Sequence, residues 1–420
     1  MSRPSSEIPR GAEAAVIAAH RFGLGEPDLK VVGSDAIGWL TAQIGPAEPQ
    51  RGSNLASGAE GAKRFAEFLR DQRGRGTRAA GASQANGPDP AMAPGMAADM
   101  RPAEQQFGEH FRAIVQADLR ARLATAAMSS KPFNERLAAF WCNHFTVSMA
   151  KASARGIVGA FEREAIRPHI GGSFETLLKA AVKHAGMLRY LDNDQSAGPH
   201  SRVVQRLVRR AQTGEGEAPP RLTGLNENLA REVLELHTLG VAGGGAAYGG
   251  WGGYTQADVT EFARVLTGWR VPLREMINAG SAAEPTRFEA TWHDPGTKVI
   301  LGKRYREGPQ ALHEVLADLA QHPSTARFVS YKLARHFVAD EPPPELVAAL
   351  ATAFSKSGGD LPAVYRALVE SPLAWTGAPV KLKTPEEFVV SSARLLALGE
   401  QAFARAPDGG IGALGQRVQS

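Results

Sequence analysis

The sequence predicts a mainly α protein, a multi-helix globular bundle with one small antiparallel β-hairpin near residues 287–301. Three observations predict it. Apolar residues recur at three- and four-residue spacings over most of the chain beyond residue 103. Cap-forming Ser, Thr, Asn or Asp stand just ahead of those stretches. Only Arg287–Leu301 carries the alternation and β-branched run that strands prefer.

Taken in order, Glu104–Ser129 reads as a long helix and Asn134–Ser148 as the next, with Asn134 as its N-cap. Ile157–Ile170 and Ser173–Tyr190 follow, the second opened by Ser173. Ser324–Val338 starts from a serine after a proline, and Leu361–Glu370 starts from Asp360 with Pro362 in the first turn. Thr384-Pro385-Glu386-Glu387 combines an N-cap, a proline at N1 and a glutamate at N3. In the strand segment, Phe288, Ala290 and Trp292 alternate with polar residues, Asp294-Pro295-Gly296 supplies a turn, and Lys298–Leu301 returns. Residues 70–103 are rich in Gly, Ala and Pro and read as a flexible insertion. It separates an N-terminal helical segment, 1–69, from a main helical domain, 104–420, against which that segment is expected to pack.

Composition narrows the function classes. A chain of 420 residues with 43% apolar content can bury a large core, and no apolar run is long enough to span a bilayer. The net charge of +5 arises from 48 basic and 43 acidic residues that are interspersed, which speaks against nucleic acid as the main partner. The single cysteine, Cys142, rules out an intrachain disulfide and a cysteine-based zinc site. No secretory leader is legible, so the expected compartment is the cytoplasm, with export alongside a partner as the alternative.

The densest chemistry lies between Gly224 and Trp269, in a helical hairpin carrying Asn228, Glu232, Glu235, His237, Asp258, Glu261 and Arg264. In its first helix Leu229, Val233 and Leu236 define the buried stripe, with Asn228, Glu232 and Glu235 on one flank. His237 falls roughly 140° from Glu232 on a regular helix, which argues against a metal shared by those two. Glu232 and Glu235, three residues apart, are placed to share a cation or a proton; the bland reading is a solvated face paired with Arg231. Thr255 and Asp258 form a capping pair, and Gly268 ends the second helix. The glycine-rich loop 242–253 lacks the lysine and hydroxyl of a phosphate-binding loop.

His144, in WCNHF, shares a face with Leu137 and Trp141; His336, in ARHF, lines up with Val329 and Leu333. Histidines on apolar faces are ordinarily satisfied core residues, yet two beside aromatic residues also suit a shared buried site. Cys142 and His144 are two residues apart and do not face one another, so no thiol–imidazole dyad forms. His293-Asp294 is either a ligand pair or turn chemistry, and Leu191–Ser196 gathers oxygen ligands without calcium-loop spacing. Nucleophile-elbow, dinucleotide-binding and His-Glu-x-x-His motifs are absent from the sequence.

Six segments carry a family resemblance: WCNHF (Trp141–Phe145), LDNDQS (Leu191–Ser196), GLNENLAREVLELHTLGV (Gly224–Val241), YTQADVTEFARVLTGW (Tyr254–Trp269), HDPGTKVILGK (His293–Lys303) and KLARHFV (Lys332–Val338). Through them the chain resembles the bacterial domain-of-unknown-function family eighteen hundred. The resemblance implies a largely helical protein without an assigned activity. It also implies an association with a secreted, sulfatase-like family, domain of unknown function fifteen hundred and one. The chain departs from the family in its expanded glycine loop and in showing no secretory leader.

Two functions fit these residues. The first is a hydrolase-like enzyme using Glu232, Glu235, His144 and His336, with a divalent metal on Glu232, Glu235 and His293 as the candidate cofactor. The second is a non-enzymatic assembly or interaction partner of the sulfatase-like protein, its polar residues forming a buried network that fixes the helix packing.

Overall fold

Caps and prolines decide where most helices begin. The structure, a computed structural model, describes residues 7–84, 103–213, 224–241, 253–278, 284–376, 380–414 and 416. Helices α1 (Gly11–Ile17), α2 (Ala36–Thr41), α3 (Gly58–Gln84), α4 (Ala103–Met128) and α5 (Pro132–His144) come first. Next come α6 (Val158–Phe161), α7 (Phe174–Lys183), α8 (Ala185–Tyr190), α9 (Arg202–Gln212), α10 (Asn228–Glu232), α11 (Gln256–Leu266) and α12 (Leu273–Met276). The last five are α13 (Pro309–Gln321), α14 (Pro323–Phe337), α15 (Pro344–Lys356), α16 (Leu361–Glu370) and α17 (Pro385–Leu395). Among the described residues, none of the helices is long and apolar enough to cross a membrane.

Local chemistry accounts for these starts. Ser173, Asp360 and Thr384 each accept a hydrogen bond from a backbone N–H of the first turn, as their sequence positions predict. Thr384 and Glu387 complete a reciprocal capping box, and so do Thr255 and Asp258. Two starts differ from the sequence reading. α5 begins at Pro132, whose missing N–H costs nothing there; Asn134 lies inside the helix and donates to the carbonyls of Gln43 and Gly45. α14 begins at Pro323, with the His322 ring accepting from Ser324 N–H.

The stretch read as one helix over 173–190 breaks at His184, whose extended backbone separates α7 from α8. The insertion expected from residue 70 overlaps α3, which runs to Gln84; residues 85–102 lie outside the described residues, as do most of the glycine loop, 242–252.

Three helices run on into π turns: Ala18–Phe22 after α1, Glu162–Ile166 after α6 and Val233–Thr238 after α10. Each admits an extra residue and shifts every later side chain around the axis.

The β structure is confined to two antiparallel pairs among the described residues. Strands β1 (Trp269–Arg270) and β2 (Arg287–Phe288) pair Trp269 with Phe288. Strands β3 (Lys298–Ile300) and β4 (Lys303–Tyr305) pair Lys298 with Tyr305. The sequence places the hairpin in the right region but not its pairing, for 287–288 and 298–300 each find another strand. Leu301 (φ 50°) and Gly302 (φ 77°) form the two-residue turn whose twist suits a hairpin. Asp294, expected in the turn, is instead fully buried and accepts from Arg264 and His200.

The main core runs from Ala14 to Trp375. Trp141 lies at its middle, its indole N–H donating to Tyr365 Oη at 2.6 Å, and that hydroxyl donates to Ile170 O at 3.0 Å. Phe22 packs on Phe133, Phe337 and Trp375, joining the N-terminal residues to both ends of the bundle. A smaller cluster around Leu24, Leu123, Val390 and Phe403 seats α17 on α4. Here the chain closes on itself: Arg394 donates to Gly25 O and to the Glu26 carboxylate.

Charged side chains occupy the joint between α5, the 162–166 turn and α17. Arg167 holds Glu135 in a two-pronged pair at 2.7 and 2.9 Å, with both side chains 3% exposed. Glu162 accepts from Arg122 at 2.5 Å and from Gln50 at 2.8 Å, and Arg122 reaches on to Glu386. Arg136 pairs with Glu387 at 2.8 Å. These guanidinium groups hold Glu162 and Glu387 ionised against the cost of burial, with carboxyl pKa values below the ordinary range.

Candidate functional site

α10 and α11 form the hairpin's two arms, and polar bridges set their register. Glu227, just ahead of α10, accepts from Gln256 (2.8 Å) and Thr260 (2.6 Å). The Leu191–Ser196 loop locks the far end. Asn193, fully buried, donates to the Leu266 and Trp269 carbonyls, and Asp194 pairs with Arg189. The oxygen-rich loop is thus a clasp on the end of α11.

The outer face of α11 is spent on the β3–β4 hairpin. Asp258 accepts from Leu301 N–H at 2.7 Å, Glu261 from Val299 N–H at 3.0 Å, and Arg264 holds Asp294. Three of the polar residues singled out in the sequence therefore position structure.

The first arm departs from a regular helix. Because 233–238 is a π turn, the stripe expected from Leu229, Val233 and Leu236 holds only for the first two, and Leu236 is 40% exposed. Leu234, His237 and Thr238 take the buried places. Glu232 and Glu235 remain half-buried on the rim, with Tyr254 Oη 3.5 Å from Glu235 Oε2. Burial, and secondarily the Glu235 charge, raises the Glu232 carboxyl above its ordinary pKa.

His144 and His237 meet behind that rim, ring centroids 6.1 Å apart, and His144 Nε2–H donates to His237 O at 3.0 Å. Burial, reinforced by the nearby Lys332 ammonium, keeps both imidazoles neutral, His237 with a pKa of about 3. His336 lies beyond Phe140, which both His144 and His336 contact. Burial and then Arg136 push its pKa down to about 3.

A family model described as protein of unknown function (DUF1800) matches residues 17–419. The chain belongs to that family. Neither the curated proteins nor the solved structures yield a match.

In this DUF1800 chain the nominated residues divide into four places. Glu232 and Glu235 share the rim, His144 lies inward beside His237, and His336 faces the charged joint under α17. His293 is elsewhere. Its Nδ1–H donates to Thr267 O at 2.8 Å, while Nε2 accepts from Lys298 and from Gly308 N–H. His293 thus sits at Thr267, just past the C-terminal end of α11, whereas Glu235 meets Tyr254 ahead of that helix's N-terminus. A divalent metal on Glu232, Glu235 and His293 does not fit this geometry. Among the described residues, no group of three or more His, Cys, Asp or Glu side chains is arranged to hold one.

Sequence reasoning missed Lys332, His237's partnership with His144, and the whole joint of Arg122, Glu135, Arg136, Glu162, Arg167, Glu386 and Glu387. KLARHFV was quoted for the family without singling out its lysine. The available signal is spacing, since Lys332 stands four residues from both Phe328 and His336; in the fold, burial lowers its ammonium to a pKa of about 8.

Proposed function

We propose that the protein is an acid–base enzyme of hydrolase type, with Glu232 and Glu235 as the proton-handling pair. The observation that carries this reading is a half-buried carboxylate, Glu232, with a second carboxylate, Glu235, one turn away on the same rim. Burial, and secondarily the neighbouring Glu235 charge, raises the Glu232 carboxyl above its ordinary range, which favours its acid form. In this reading Glu232 donates to a leaving atom while Glu235, beside the Tyr254 hydroxyl, takes a proton from water.

Glu232→Gln keeps the shape and removes the acid. Turnover on chromogenic esters, glycosides, phosphates and sulfates is expected to fall about 10²–10⁴-fold with the melting temperature unchanged. Side-chain ¹³C titration should place Glu232 above the ordinary glutamate range. An ordinary or lowered Glu232 value, or a wild-type rate in the variant, refutes the pair.

A second reading, an interaction protein that engages a sulfatase-like partner, draws on a different face. Leu382 is 93% exposed, Leu396 67% and Phe388 57%, all on or beside α17, an apolar surface of the kind that marks interfaces. Co-purification with the sulfatase-like protein, abolished by Phe388→Glu with Leu396→Glu, is the expected result; failure to associate at micromolar concentration excludes this reading.

A further inference from the structure

A cleft of about 220 Å³ opens within the charged joint, between α5, the 162–166 turn and α17. None of its lining residues belongs to the 224–269 hairpin, so it is a second place on the molecule. A cavity of about 150 Å³ accommodates benzene, so this volume suits a ligand somewhat larger. The exposed side chain of Asn143 stands at its mouth.

The wall carries both signs of charge. Arg122 and Arg136 stand against Glu135, Glu162, Glu386 and Glu387, and His336 lines the same cleft. Arg167 and Lys383 act on the same carboxylates from outside the lining, so positive and negative groups nearly balance. A balanced, charged wall repels ions of either single sign less than it attracts a molecule bearing both.

Among the described residues, two buried atoms in this wall have no hydrogen-bond partner: Arg136 Nε, on a side chain only 8% exposed, and His336 Nε2. A guanidinium Nε carries a fixed N–H and calls for an acceptor oxygen. Glu386 spends one oxygen on Arg122. It is the lining carboxylate with fewest protein donors, whereas Glu162 is gripped by Arg122, Arg167 and Gln50. A buried donor left without an acceptor is destabilising, and a ligand oxygen would supply the missing partner.

We propose that this cleft binds a small zwitterion of amino-acid size, its carboxylate facing Arg136 Nε and His336 Nε2 and its ammonium facing Glu386. Binding is independent of the chemistry assigned to Glu232.

The test is isothermal titration calorimetry on the full chain. L-Alanine, L-valine and L-glutamine serve as zwitterions, and propylamine and propionate as single-charge controls. At least one zwitterion is expected to saturate at millimolar concentrations, the controls binding about tenfold more weakly. Glu386→Gln should weaken that zwitterion about tenfold. Asn143→Trp, which fills the mouth without touching the ion pairs, should abolish binding with the melting temperature unchanged. No saturation by any zwitterion, equal binding of a single-charge control, or full binding in folded Asn143→Trp overturns the proposal.

Discussion

Arg167→Ala will lower the unfolding free energy by about 3–5 kcal/mol, the largest effect expected of any single polar substitution in this molecule. The guanidinium makes both contacts to Glu135, a third to Glu162 and two more to Glu48 O. Its removal strands Glu135 in an interior from which water is excluded. Glu162 keeps Arg122 and Gln50, so the damage is concentrated on one carboxylate. The double replacement Arg167→Met with Glu135→Leu is expected to recover most of the loss, because the penalty lies in the orphaned charge more than in the missing pair. Denaturant midpoints of the three variants check this; a single-variant cost below about 1 kcal/mol would show that water reaches the joint.

The second large effect is acid sensitivity. His144, His237 and His336 are held neutral, the latter two at about 3, against an ordinary histidine value near 6.5. Their folded values are depressed, so the unfolded chain binds more protons between those limits. Stability is then fully present above pH ~6.5 and declines as pH falls. Asp118, raised by burial to about 6, and Asp194, also raised by burial, work in the opposite direction because their folded forms take up protons first. The balance leaves one to two protons in favour of the unfolded chain near pH 5, a loss of about 1–3 kcal/mol per pH unit. Denaturant midpoints measured from pH 7.5 down to pH 4.5 should fall steadily; a flat or rising profile would mean that these imidazoles are not buried as bases.

Much of the helical layout was legible because cap chemistry is local. Ser173, Asp360, Thr384 with Glu387, and Thr255 with Asp258 each act within one turn of the residue they serve. The π turn at 233–238 was not legible, since an extra residue in a helix leaves no mark on composition. The wheel drawn through Leu229 and Val233 goes astray at Leu236 for that reason alone. The strand pairing was missed because Asp294-Pro295-Gly296 is as good a turn signal as Leu301-Gly302, and only the burial of Asp294 against Arg264 separates them. The charged joint was hidden by distance along the chain: Arg122 meets Glu386 264 residues away and Arg136 meets Glu387 251 away. At the candidate site the glutamate pair could be picked out from spacing, whereas the unpartnered atoms of Arg136 and His336 become apparent only once the helices are packed.

The contact of Arg394 with Glu26 spans 368 residues. At roughly 5–20 residues per second, a ribosome needs on the order of 20–70 s to travel from one to the other. Once Leu123 has been made, the nascent chain carries Leu24 and Leu123 without Val390 and Ala393, the α17 residues that cover them, for the rest of that interval. Growing chains of this protein therefore present an apolar seat for as long as synthesis lasts, and a chaperone that shields such surfaces has its longest opportunity there.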